Sequence, residues 1–129
     1  MTKRRRQDRM ENFRQFCSRM ARKREKRCYE LAFCAMDGGE PPDGALLIHG
    51  HVRRPGPRQY SYLHAWILLP NEGQVYDPVF DRWFAADEYA QIYNASEHHR
   101  YTPKQISCFV VQTGHFGPWE LPPTDWMLG

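Results

Sequence analysis

Nine consecutive residues, Ser61-Tyr62-Leu63-His64-Ala65-Trp66-Ile67-Leu68-Leu69, constrain this chain more than any other stretch. Branched and aromatic side chains dominate it, glycine is absent, and proline comes only beyond its end, at Pro70. That composition predicts a β-strand. Alternation places Tyr62, His64, Trp66 and Leu68 on one face and Leu63, Ala65, Ile67 and Leu69 on the other. Both faces are largely apolar, so the strand is expected to be central and covered on both sides. His64 is the polar exception. A histidine there is either a core residue with a satisfied hydrogen bond or a working group, and taken alone the first is the commoner outcome.

The residues that follow bear on that choice. Pro70-Asn71-Glu72-Gly73 is a turn signal, and Gln74-Val75-Tyr76-Asp77-Pro78-Val79 reads as a second strand. A hairpin joining the two brings Asp77 beside His64. A carboxylate next to an imidazole fixes its tautomer and stabilises the imidazolium. Asp81 is an alternative partner, but it lies beyond the strand. Upstream, Cys28 opens the run Cys28-Tyr29-Glu30-Leu31-Ala32-Phe33-Cys34-Ala35-Met36. Leu31, Cys34 and Ala35 share a helical face with Cys28, and Asp37-Gly38-Gly39 is a stop signal, so a helix is expected over 28–36. On that face Cys28 is either a small core hydrophobe or a nucleophile within reach of His64.

With 129 residues the chain is expected to form one domain with a modest core. No apolar run approaches the length of a membrane span, and no apolar segment follows the basic start as in a secretory signal. Cys17, Cys28, Cys34 and Cys108 show neither a CxxC pair nor a disulfide framework, which points to free thiols and a cytoplasmic location.

Charge is uneven. Residues 1–27 carry twelve Lys or Arg against three acids, while residues 28–129 carry six bases against twelve acids. A basic N-terminal arm (1–27) thus precedes an acidic body (28–129). Such an arm can bind nucleic acid, hold an acidic protein, dock on its own body, or be a solvated helix. Residues 1–7 read as a frayed tail. From 8 to 27 the sequence is rich in helix formers, and Met10, Phe13, Phe16, Cys17 and Met20 form one apolar stripe. The arm as a whole is expected to be dispensable for the fold.

Elsewhere, residues 45–53 read as a strand with Leu47, His49 and His51 on one face. His49 and His51 could chelate a metal, but no third ligand of suitable spacing is near, so neither a metal nor a cofactor is expected. Residues 86–93 read as a short helix, 94–103 as a polar connection and 106–112 as a last strand. The segment from Gly114, with its Trp119, Pro122, Pro123 and Trp126, reads as irregular chain packed over the body.

The order of these pieces resembles the transglutaminase-like branch of the papain-like cysteine enzymes. The matching residues are Cys28-Tyr29-Glu30-Leu31-Ala32, Leu47-Ile48-His49-Gly50-His51-Val52, His64-Ala65-Trp66 and Tyr76-Asp77-Pro78-Val79, over residues 26–80. The resemblance implies an α+β fold, a Cys-bearing helix packed on an antiparallel sheet of about four strands, with the basic helix added in front. It implies Cys28 as nucleophile, His64 as base and Asp77 as orienter. The activity implied is that of a cysteine hydrolase or acyl transferase acting on an amide bond of a protein or peptide, with a thioester intermediate. Several features depart from the pattern. Nothing between Arg19 and Cys28 marks a helix break, so the expected bend before Cys28 rests on the resemblance alone. No Gln or aromatic side chain for the oxyanion stands just before Cys28, Gln15 being the nearest candidate. Ile67-Leu68 replaces the acidic residue that often follows His-Ala-Trp. The rival expectation is a binding module of the same fold without turnover.

Overall fold

The computed structural model describes residues 3–21, 28–53 and 61–120. The elements run α1 (Lys3–Ala21), α2 (Cys28–Gly38), β1 (Leu46–Arg53), β2 (Ser61–Leu69), β3 (Gln74–Asp77), β4 (Arg82–Ala85), α3 (Ala86–Ile92), β5 (Ser96–Tyr101) and α4 (Pro103–Thr113). The five strands form one antiparallel sheet in the order β4-β3-β2-β1-β5. The architecture is α+β.

β2 is the central strand, as its two apolar faces require. Ala65, Ile67 and Leu69 join Leu47 and Tyr76 in one buried cluster with Phe13 of α1, Ala32, Ala35 and Met36 of α2, and Ile106 of α4. Trp66 joins Ile48, Val52 and Val75 in a second cluster on the opposite face, with Tyr89 of α3 and Tyr93 just beyond it. Three helices thus cover one face and the short α3 covers the other. Gly50 lies opposite His64 in the β1–β2 register. A Cβ there would meet Trp66 Cη2 at 2.8 Å and collide with the Ser96 carbonyl, so only glycine lets β5 and the Trp66 indole close over β1.

Two elements differ from the sequence reading. Residues 106–112 are helical, inside α4, and not a strand. Thr102 caps this helix: its side chain accepts from the Gln105 N–H, Gln105 reaches back to the Thr102 N–H, and Pro103 opens the first turn. That capping box outweighs the β-branched content of Ile106, Val110 and Val111. Conversely, the polar residues Ser96–Tyr101 are not a connection but edge strand β5, exposed except at Tyr101. With β4, the sheet gains a strand over the four expected.

α1 begins at Lys3, where a frayed tail was expected, and it packs on the body by its apolar stripe. Met10, Phe13 and Cys17 are core residues, Phe13 with no exposed surface. A Cβ at Gly38 would meet Phe16 at 2.8 Å, and one at Gly39 would meet Phe13 at 2.9 Å. A single straight helix would hold Phe16 roughly 33 Å from Gly38 at about 1.5 Å per residue, so α1 and α2 are separate helices folded back on each other. The bend expected just before Cys28 falls in 22–27, outside the described residues, as do Met20's side chain, Pro122, Pro123 and Trp126. Arg6 and Arg9 pair with Glu72 (3.7 Å) and Asp43 (3.1 Å), so part of the arm's charge docks on the acidic body. No helix among the described residues is long and apolar enough to cross a membrane.

Candidate functional site

The turn after β2 closes through Glu72 N–H to Leu69 O and Gly73 N–H to Pro70 O, with Gly73 at φ 62°. That fixes the β2–β3 register at Ile67↔Tyr76 and Leu68↔Val75. Asp77 then falls on the face of Trp66 and His64, one diagonal step from the imidazole.

The side chains meet. His64 Nε2 lies 2.8 Å from Asp77 Oδ2, with His64 2% exposed and Asp77 0%. The same carboxylate oxygen accepts the Tyr89 hydroxyl at 2.7 Å, and Oδ1 accepts the Val79 N–H at 3.0 Å. A buried carboxylate is thereby satisfied from a strand, a turn and a helix. Since the carboxylate can only accept, Nε2 carries a proton, which leaves Nδ1 free to face a third group.

Cys28 lies close to the same ring, its half-buried thiol near enough to raise the imidazole's pKa. Burial is the largest influence on His64 and lowers its pKa, but the hydrogen bonds to Asp77 and Cys28 and their negative charges outweigh it, lifting the pKa to about 9. α2 packs on the face of Ala65 and Ile67, opposite the His64 face. β3 pairs with β2 only at Ile67–Leu69, so no described strand flanks Ser61–Trp66 on that side.

The remaining candidates stand apart. Asp81 is exposed and accepts the Tyr76 hydroxyl at 2.7 Å. Gln15 is exposed and bonds Glu11 within α1. Cys17 is buried, and burial pushes its thiol far above the ordinary value. Cys34 is half-buried and Cys108 exposed, and neither is in a disulfide. His49 and His51 share a strand face but diverge: His49 turns into the core, its Nδ1 3.0 Å from Glu120 Oε2, and His51 meets His98 of β5. Among the described residues no group of three or more His, Cys, Asp or Glu is placed to hold a metal ion.

Two partners escaped the sequence reading. Tyr89 lies in the short helix expected over 86–93, and a buried tyrosine hydroxyl there needs an acceptor. Glu120 carried a signal too, a lone acid within the apolar run Phe116-Gly117-Pro118-Trp119-Glu120-Leu121. Burial pushes its carboxyl up, but His49 and the Tyr101 hydroxyl more than offset this and hold it below the ordinary value.

Compared with known proteins, the chain matches no family model, no curated protein and no solved structure.

Proposed function

We propose that this chain is a cysteine-dependent hydrolase or acyl transferase acting on an amide bond, with Cys28 as nucleophile, His64 as acid and base, and Asp77 as the group that orients His64. One observation carries the reading: a single buried imidazole is bonded to a carboxylate at Nε2 and has the Cys28 thiol close enough to raise its pKa.

The chemistry follows from that arrangement. An imidazole with a raised proton affinity takes the thiol proton, giving a thiolate–imidazolium pair. The thiolate attacks the amide carbonyl carbon, forming a C–S bond. His64 delivers its proton to the nitrogen as the C–N bond breaks, and an amine leaves. Water or a second amine then attacks the thioester while His64 removes the incoming proton, and the Cys28 thiol is regenerated. Asp77 keeps the imidazole in one tautomer throughout. The substrate is a protein or peptide amide.

The test is site-resolved alkylation of the full chain by iodoacetamide, in the parent and in His64→Ala. The expected result is a Cys28 rate at pH 7 at least tenfold higher in the parent. Equal rates in the two proteins would remove the enzyme reading and leave a non-catalytic binding module.

A further inference from the structure

The mechanism leaves a second buried histidine–carboxylate pair unused, His49 with Glu120. It lies on the face of the sheet that carries α2, and the segment His115–Glu120 crosses over it. Phe116 packs on Phe33 of α2 with ring centroids 5.2 Å apart, and Trp119 stacks on His49 at 5.2 Å and on Phe109 at 5.3 Å. The segment is bonded to itself: Gly117 N–H donates to His115 Nδ1 at 3.1 Å, and Trp119 Nε1–H donates to the His115 carbonyl at 3.0 Å. It leaves α4 at Gly114, whose left-handed φ of 75° makes a natural hinge. Polar links to the sheet run through Glu120 Oε2, which accepts the Tyr101 hydroxyl at 2.9 Å and lies 3.0 Å from His49 Nδ1.

Beneath this segment two buried polar atoms, the Tyr29 hydroxyl and His49 Nε2, have no hydrogen-bond partner among the described residues. Such groups are rare in folded proteins, and each costs free energy while it stays unpaired. The segment shows why they stay so. Gly117 lies against them: a Cβ there would be 2.7 Å from His49 Cε1, 3.5 Å from Nε2 and 3.5 Å from the Tyr29 ring. Yet its N–H is turned inward to His115, and Pro118 has none to offer. The two rings are close, 4.8 Å between centroids. Tyr29 can donate its O–H. His49 can accept at Nε2 when its proton sits on Nδ1. A donor beside an acceptor is the complement of one amide group, and Tyr29 directly follows Cys28 in α2.

Resting on the Cys28 reading above, we propose that His115–Glu120 is a hinged lid over the substrate site, latched by Glu120, and that in the open state Tyr29 and His49 hold one amide group of a peptide substrate, its C=O on the Tyr29 hydroxyl and its N–H on His49 Nε2. An ester offers no N–H to His49, so the site selects amides.

Site-resolved mass spectrometry of Cys28 in the full chain tests both halves. The ratio of its modification by a bulky polyethylene-glycol maleimide to that by iodoacetamide reads the lid. Glu120→Ala should raise this ratio at least fivefold. Gly117→Ala, whose Cβ would meet His49 Cε1 at 2.7 Å and whose φ of 115° disfavours a side chain, displaces the lid and should move it the same way. A ratio unchanged in both variants overturns the lid. In Gly117→Ala, whose displaced lid uncovers Tyr29 and His49, millimolar N-acetylglutamine amide should protect Cys28 from iodoacetamide. Adding Tyr29→Phe should weaken that protection at least fivefold, and equal protection overturns the amide site. The size ratio does not depend on thiol activation, so failure of the His64→Ala comparison above and failure of the lid are read separately.

Discussion

Asp77 and His64 meet through one contact of 2.8 Å, and the oxygen that makes it also takes the Tyr89 hydroxyl at 2.7 Å. The carboxylate therefore orients the imidazole and ties β3 to α3. Its loss has two separable effects.

The first is on stability. Asp77→Ala strands His64 Nε2, the Tyr89 hydroxyl and the Val79 N–H in a buried site. Removing one partner from such a network costs about 3–5 kcal/mol. Urea denaturation should show a loss of that size. The Cys28 alkylation rate should fall as well, because the imidazole loses its orienting bond. Asp77→Asn keeps the volume but not the charge, and the His64 pKa, followed by NMR titration, should drop from about 9. A His64 titration unmoved in the Asn variant would mean that Asp77 does not act on the imidazole.

The second prediction concerns pH. The folded pKa of His64 is raised, to about 9 against an ordinary 6.5. Folding therefore binds a proton more tightly, and the resulting stabilisation is fully present below about pH 6.5. It fades as pH rises and is gone above about 9. At about 1.4 kcal/mol per pH unit of difference, the contribution is of the order of 3 kcal/mol. Thermal unfolding between pH 6 and 10 should show this decline in the parent. The decline should flatten in His64→Gln, which has nothing to titrate. Turnover of an amide substrate should fall in the same window, because His64 loses the proton it delivers to the leaving nitrogen.

How much of this was legible in the sequence follows from the kind of interaction involved. The β2–β3 hairpin was readable because the turn residues and the alternation of Ser61–Leu69 are local signals. They delivered His64 and Asp77 to one face. β5 was not readable: an exposed edge strand needs no apolar face, and Ser96–Arg100 becomes a strand only by pairing with β1. α4 was misread although its signal was present. Thr102, Pro103 and Gln105 spell a helix start, and Gly114 its end, but Ile106, Phe109, Val110 and Val111 weighed as strand formers. The His49–Glu120 contact spans 71 positions, beyond the reach of any local pattern. Cys28 lies between these cases: its helix was legible, while its approach to His64 joins residues 36 positions apart on different elements.

Gly50→Ala tests whether the site depends on close strand contact. The added Cβ meets Trp66 Cη2 at 2.8 Å and the Ser96 backbone carbonyl more closely still. The indole can shift, but the carbonyl belongs to β5, which must move away from β1. Overpacking of this kind costs about 1–3 kcal/mol. Chemical denaturation should show that loss, and hydrogen exchange should show β5 amides opening before those of β2. A variant with parent stability and unchanged β5 protection would mean that the edge strand is held loosely.

The last prediction separates charge from packing in the basic helix. The surplus of arginine suggests an arm held, if at all, by electrostatics. Arg9 is over a third exposed in its side chain, and its partner Asp43 is largely exposed. Exposed pairs of this kind contribute about 0.2–1 kcal/mol and weaken with salt. Phe13, by contrast, is fully buried and packs edge-on against Trp83 at 6.1 Å. Removing a buried phenylalanine costs about 3–5 kcal/mol. Apolar burial should therefore decide whether α1 docks. Phe13→Ala should lower stability by several kcal/mol and expose α1 to proteolysis, with little change between about 50 and 500 mM salt. Arg9→Ala should cost under about 1 kcal/mol at low salt and almost nothing at high salt. The reverse ranking would make α1 an electrostatic appendage, removable without loss of the fold.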